Sequence, residues 1–160
     1  CNGCQLMMEL GLIAQGHASA DGYRYGRMEH NTSHKFESAF LGVNVPKNNS
    51  VMFGSLAGTS MGIWVAHGEG RFSLPLAEEN YNVVAKYNYS GYPANPNGSV
   101  YNIAGIASAD GRHVAMMPHL ERCIFPWQCG TYPADRLHTD EVTPWIEAFV
   151  NARHWCQKKA

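Results

Sequence analysis

The sequence predicts an α/β domain, and three features predict it. Short apolar runs recur along the chain, clusters of glycine, asparagine and proline separate them, and the clear helix signals stand at the two ends. With 160 residues, 45% apolar and 16% charged, the chain has the size of one domain and enough apolar side chains for a core. No internal repeat, low-complexity tract or linker interrupts it, so no domain boundary is placed within 1–160.

The first element is a helix that opens on Cys1-Asn2-Gly3-Cys4-Gln5. Leu6, Met7 and Leu10 give it an apolar stripe, and Gly11 is its stop signal. The opening reads as a nucleophile elbow. A thiol on a sharp glycine turn at a helix start points outward, and the free N–H groups and dipole there favour the thiolate. Gly3 is expected where the folding-back chain leaves no room for a side chain. The same Cys1-x-x-Cys4 also fits a thioredoxin-like dithiol, half of a zinc site, or two inert buried thiols. Taken alone, the opening leaves all four readings standing.

Strands are predicted at Phe36 to Val45, Gly62 to Ala66, Val83 to Tyr87, Ile103 to Ala107 and Val114 to Met117. His67-Gly68-Glu69-Gly70-Arg71 follows the second of these. Its glycines let the backbone pass close to another segment, no second ligand pair at a recognised spacing supports a metal there, and His67 is assigned nothing beyond a substrate-pocket or interface contact. Asn95-Pro96-Asn97-Gly98-Ser99 is turn chemistry, with Gly98 in a conformation closed to other residues. His17, His30, His34, His113, His138 and His154 are expected on the surface or packed singly.

Met116-Met117-Pro118-His119-Leu120-Glu121-Arg122 leaves the last strand. In extended chain His119 and Glu121 project to one side, so the carboxylate can orient the imidazole and stabilise its charged form. With a thiol elsewhere they complete a Cys-His-Glu set for acyl transfer. The final helix starts at Thr143-Pro144-Trp145, with Thr143 as N-cap and Pro144 at the first position; Trp145, Phe149, Ala152 and Cys156 form its core stripe.

Composition excludes more than it names. A net charge of −1 without a basic run offers no nucleic-acid footprint and no polybasic membrane patch, and no apolar stretch is long enough to span a bilayer. The five cysteines, Cys1, Cys4, Cys123, Cys129 and Cys156, show no even framework, so reduced thiols of a cytoplasmic protein are expected. A first residue of Cys rather than Met suggests a fragment or a processed product.

Four motifs in order carry a resemblance: Cys1-Asn2-Gly3-Cys4-Gln5, His67 to Arg71, Asn95 to Ser99 and Met116 to Arg122. Together with Arg27, Asn31-Thr32-Ser33, Phe36-Glu37 and Thr143-Pro144-Trp145, they resemble the glutamine amidotransferase domain of the phosphoribosylformylglycinamidine synthase family. The resemblance covers nearly the whole chain. It implies a class I (triad) amidotransferase with a flavodoxin-like, mostly parallel sheet, of which 1–160 would be the C-terminal portion, truncated before the strand that carries the elbow. It further implies Cys1 as nucleophile, His119 as general base and acid, Glu121 as the group orienting His119, and Gln5 beside the substrate glutamine. The backbone N–H of Asn2 would give one oxyanion donor.

The ammonia would pass to a synthetase region of the same enzyme, where ATP and Mg belong, with no cofactor or metal in this portion. A second oxyanion donor is expected upstream of the elbow, and losing one costs about 10²–10³ in rate. The isolated chain is therefore expected to release little glutamate. Leu120 stands where the family commonly has proline, which keeps both catalytic side chains. Two other classes stay open: a hydrolase using its N-terminal cysteine, and a non-catalytic amidotransferase-like module.

Overall fold

The computed structural model describes residues 2–14, 17–19, 22–24 and 26–159. Helix α1 spans Asn2–Glu9 and helix α2 Ile146–Lys159, and all strands lie between them. Two short ribbons pair antiparallel: β1 (His17–Ser19) with β2 (Gly22–Arg24), and β3 (Arg27–Glu29) with β6 (Arg71–Ser73). The main sheet is built from β4 (Glu37–Asn44), β5 (Ser60–His67), β7 (Asn82–Tyr87), β8 (Ile103–Ala107) and β9 (Val114–Met116), in the order β5-β4-β7-β8-β9.

Strand composition explains this order. All five residues of β8 are buried, which suits an uninterrupted Ile-Ala-Gly-Ile-Ala run covered on both faces. Neighbouring residues of β7 divide between two core clusters: Val83 joins Ile103, Ile106, Met8 and Phe72, whereas Val84 joins Val43, Ile63, Phe53 and Trp145. The helices therefore cover opposite faces, α1 one and the start of α2 the other.

The mixed α/β class and the five predicted strands stand; the expected mostly parallel sheet does not. Every pairing among the described strands is antiparallel. A parallel pair needs a crossover of a dozen or more residues, usually helical, and from β4 to β9 the connections hold only turns, short 3₁₀ segments and the three-residue β6.

Both helix ends follow their signals, but their stripes differ. Gly11 (φ +65°) donates to the Met8 carbonyl and Leu12 to that of Met7, a Schellman stop of the kind only glycine enters freely. The buried residues of α1 are Cys4 and Met8, one turn apart, while Leu6 and Leu10 are 59% and 62% exposed. In α2, Thr143 Oγ1 accepts from Trp145 N and donates to the Cys123 carbonyl, as an N-cap should. Trp145 and Ala148 face the core; Phe149 and Cys156 are exposed because the stripe runs one residue off the expected set.

Trp145 ties α2 to the sheet, with its indole donating to the Gly62 carbonyl at 2.8 Å and its ring edge-on to Phe53 at 6.2 Å. Trp145→Ala is expected to cost about 3–5 kcal/mol in urea unfolding, whereas a loss below about 1 kcal/mol would contradict this packing.

Candidate active site

The chain leaves β9 and brings His119 against the edge of the sheet, where its N–H donates to the Trp64 carbonyl of β5 at 2.8 Å. This fixes the backbone of His119. Its ring Nδ1 lies 2.7 Å from Glu121 Oε1. The pair does not meet by extended-chain alternation as the sequence suggested: Leu120–Arg122 is a 3₁₀ turn that starts after an extended His119 and swings Glu121 back under the ring. Leu120, in the position discussed above, is buried in the core and anchors that turn. Arg122 Nε stands 3.8 Å from the same carboxylate oxygen. A histidine held at Nδ1 by a carboxylate presents Nε2 for proton transfer, the geometry of a base with its orienting partner.

Helix α1 packs beside β3 and β9, the strand that leads to His119. Gln5 donates through Nε2 to Glu69 Oε2 at 3.0 Å, joining the helix to the turn after β5. Asn2 is exposed at the first turn of α1. Cys1 lies outside the described residues. The steric reason expected for Gly3 does not hold among the described residues: a Cβ there would meet nothing within 4 Å.

Cys4 is buried with its thiol 4.0 Å from Met28 Sδ, and burial pushes its pKa up to about 12. It is a packed thiol rather than a thiolate. Of the histidines expected at the surface, His30, His34, His113, His138 and His154 are exposed, and the side chain of His17 lies outside the described residues.

His67, at the end of β5, is the residue the sequence undervalued. It is 0% exposed, neither ring nitrogen has a hydrogen-bond partner, and burial, reinforced by the nearby charge of His119, pushes its pKa down to about 4. Glu37 stands directly opposite it in the β4–β5 ladder. Gly70 has to be glycine because a Cβ there would come within 2.6 Å of the imidazole. The sequence signal was a histidine ending an apolar strand before Gly-x-Gly; the carboxylate opposite it is set by the ladder register.

Asparagines fasten the turns around it. Asn31 Nδ2 donates to the His67 carbonyl at 2.8 Å and its Oδ1 accepts from Gly70 N at 3.1 Å. Asn97 Nδ2 donates to the Gly70 carbonyl at 2.6 Å, its own carbonyl accepts from Thr32 N, and Ser99 Oγ accepts from Phe72 N. The Asn95–Ser99 loop, with Gly98 at φ +75° as expected, thus has a structural task that its sequence did not disclose.

The family model described as "CobB/CobQ-like glutamine amidotransferase domain" matches residues 1–156. The chain belongs to this family. The amidotransferase domain is 38% identical to a phosphoribosylformylglycinamidine synthase of Drosophila melanogaster over 99% of its own length. It is 40% identical to a probable one of Arabidopsis thaliana over 98%, and 36% identical to one of Homo sapiens over 97%. The chain spans only 12–13% of the length of these relatives. Among solved structures, PurLQS from Thermotoga maritima matches with a TM-score of 0.67 at 25% identity, over 97% of this chain and 59% of that one. The resemblance drawn from the ordered motifs is borne out.

In this amidotransferase domain the buried His67 makes stability depend on pH. Its folded pKa lies below the ordinary 6.5, so between about 6.5 and 4 the unfolded chain holds a proton that the folded chain excludes. Stability is therefore lost as pH falls through that window. Urea titrations are expected to show about 2 kcal/mol less stability at pH 5 than at pH 7 from this residue, a component that disappears in His67→Phe.

Proposed function

We propose that the domain hydrolyses glutamine to glutamate and ammonia through a cysteinyl thioester, with Cys1 as nucleophile, His119 as general base and acid, and Glu121 as the carboxylate that holds His119. The observation that carries the reading is the His119–Glu121 contact at 2.7 Å, on a turn pinned to Trp64 just after β9, the strand that α1 packs beside. The Cys1 thiolate adds to the side-chain amide carbon of glutamine, and the negative oxygen of the tetrahedral intermediate takes the Asn2 backbone N–H. His119 then gives its proton to the departing nitrogen, ammonia leaves, and the γ-glutamyl thioester remains. In the second half His119 removes a proton from water, hydroxide adds to the thioester, and glutamate leaves with return of the thiolate. Gln5, held by Glu69, lines the substrate side of the helix.

The longer relatives are named for phosphoribosylformylglycinamidine synthesis, which supports a destination for the ammonia: ATP-dependent conversion of formylglycinamide ribonucleotide to its amidine, in the cytoplasm, by a synthetase region that is this domain's partner. ATP and Mg belong to that region. The Gly68–Gly70 backbone is engaged by Asn31 and Asn97, and among the described residues no three His, Cys, Asp or Glu side chains group to hold a metal. Among the described residues, no helix is long and apolar enough to cross a membrane.

Two measurements test the site. In the full-length protein a glutamine-analogue electrophile is expected to label Cys1 and leave Cys4 unmodified, by peptide mapping; labelling of Cys4 instead would overturn the assignment. Glu121→Gln is expected to lower kcat for glutamate release about 10²-fold with little change in the KM for glutamine, because it removes transition-state charge stabilisation and not substrate contact.

A further inference from the structure

Glu121 must hold His119 at Nδ1, yet its own surroundings do little to keep it there. Its side chain is 63% exposed, and beyond the imidazole its charged neighbour among the described residues is Arg122, with Nε at 3.8 Å. An exposed side chain takes its position from its backbone. That backbone is a single 3₁₀ turn, Leu120–Arg122, in which Arg122 N donates to the His119 carbonyl at 3.3 Å and Cys123 N to the Leu120 carbonyl at 2.9 Å. Hydrogen bonds in such turns have poor geometry, so the place of the carboxylate depends on what anchors the chain on either side.

One residue holds both ends of the excursion that contains this turn. At the start, the Trp64 carbonyl accepts from His119 N at 2.8 Å. At the far end, the Trp64 indole Nε1 donates to the Gln128 carbonyl at 2.7 Å. Gln128 turns its side chain back along the segment, where Oε1 accepts from Ile124 N and Phe125 N, both at 3.0 Å. Thr143 N fastens the same stretch by donating to the Ile124 carbonyl at 2.8 Å. The indole is itself held in place. Phe40 stands directly opposite Trp64 in the β4–β5 ladder, and the two rings meet edge-on at 5.1 Å. Glycines make the room for this contact: a Cβ at Gly62 would run into the Phe40 ring, and one at Gly130, close after Gln128, would come within 2.8 Å of it.

We infer that Trp64 is a positioning residue for the His119–Glu121 pair. Its carbonyl sets the backbone of the imidazole, and its indole N–H sets the far anchor of the loop that brings the carboxylate under the ring. Trp64 touches no reacting atom and acts through Glu121. This role rests on the glutaminase reading above and deepens it by naming the side chain that keeps the carboxylate in reach.

The test uses the full-length protein and steady-state glutamate release from glutamine. Trp64→Phe keeps a ring against Phe40 and removes the indole N–H. It is expected to lower kcat about five-fold, the size of effect that one neutral hydrogen bond allows, with the KM for glutamine unchanged. In a Glu121→Gln background, where the carboxylate charge is already gone, the same substitution is expected to lower kcat less than about two-fold. A loss of folded protein alone would act by the same factor in both backgrounds. Equal losses in the two backgrounds, or no loss in either, overturn the clamp. Gln128 gives a second arm that leaves the packing of Trp64 intact. Gln128→Met removes the acceptor for Ile124 and Phe125 and is expected to lower kcat about five-fold, while Gln128→Glu, which keeps an acceptor oxygen, is expected to stay within about two-fold of wild type. Equal kcat in these two variants also overturns the clamp and leaves the glutaminase standing. A wild-type protein that releases no glutamate from glutamine sinks both.

Discussion

The site depends on one constraint: turns carried into the protein must satisfy their own backbone. The segments after β3 and β5 and the loop before β8 meet where little water reaches, and each brings N–H and C=O groups that the sheet ladder does not pair. Asn31 and Asn97, both fully buried, resolve this by acting as donors and acceptors in place of a missing strand. Each bond contributes about 0.5–1.5 kcal/mol net, but leaving its partner unmet would cost more. Apolar residues at these two positions would take the asparagine bonds from the His67 and Gly70 carbonyls, leaving Gly70 only the 3.4 Å contact of Ser99 Oγ. The turn that carries Glu69 toward Gln5, and the ring of His67, would then lose their fixed places.

The sheet supplies the other half of the positioning. Its two faces are both covered, so the strand ends are where polar chemistry can open to solvent. His119 exploits this by borrowing a ladder bond from Trp64 after β9 has ended, which gives a loop residue the rigidity of a strand. Leu120 then turns inward and Glu121 outward, so a single buried leucine separates the imidazole from its carboxylate and fixes their approach. Proline is not required for that geometry; apolar anchoring of the middle residue suffices.

How much was legible in the sequence follows from the range of each interaction. The strands were readable because β8 and its neighbours carry continuous apolar runs, and Gly11 and Thr143 were readable because caps are local chemistry. The faces of the helices were not. Whether Cys4 and Met8 or Leu6 and Leu10 turn inward depends on the surface that α1 meets, which no local pattern specifies. Strand direction was likewise misjudged by analogy, although the lack of a helical pattern between the predicted strands already argued against parallel crossovers. At the site, His119 and Glu121 were visible as a near neighbour pair. His67 and Glu37 lie 30 positions apart, and only the ladder register brings them opposite each other.

That register has an electrostatic consequence for the chemistry. Two imidazoles near one carboxylate pair could compete for a proton, and a second imidazolium would oppose the positive charge that His119 must carry between taking and giving a proton. Burial of His67 removes the competition: its neutral form is the one the fold accommodates over the whole range in which histidine ordinarily titrates. The developing charge on His119 therefore meets Glu121 without repulsion from behind. The neutral ring also keeps an unprotonated nitrogen as an acceptor, which a solvent-exposed histidine at mildly acidic pH would lose. The same burial that makes His67 a burden on stability in acid thus keeps it uncharged, at neutral pH, near the histidine that carries the catalytic charge.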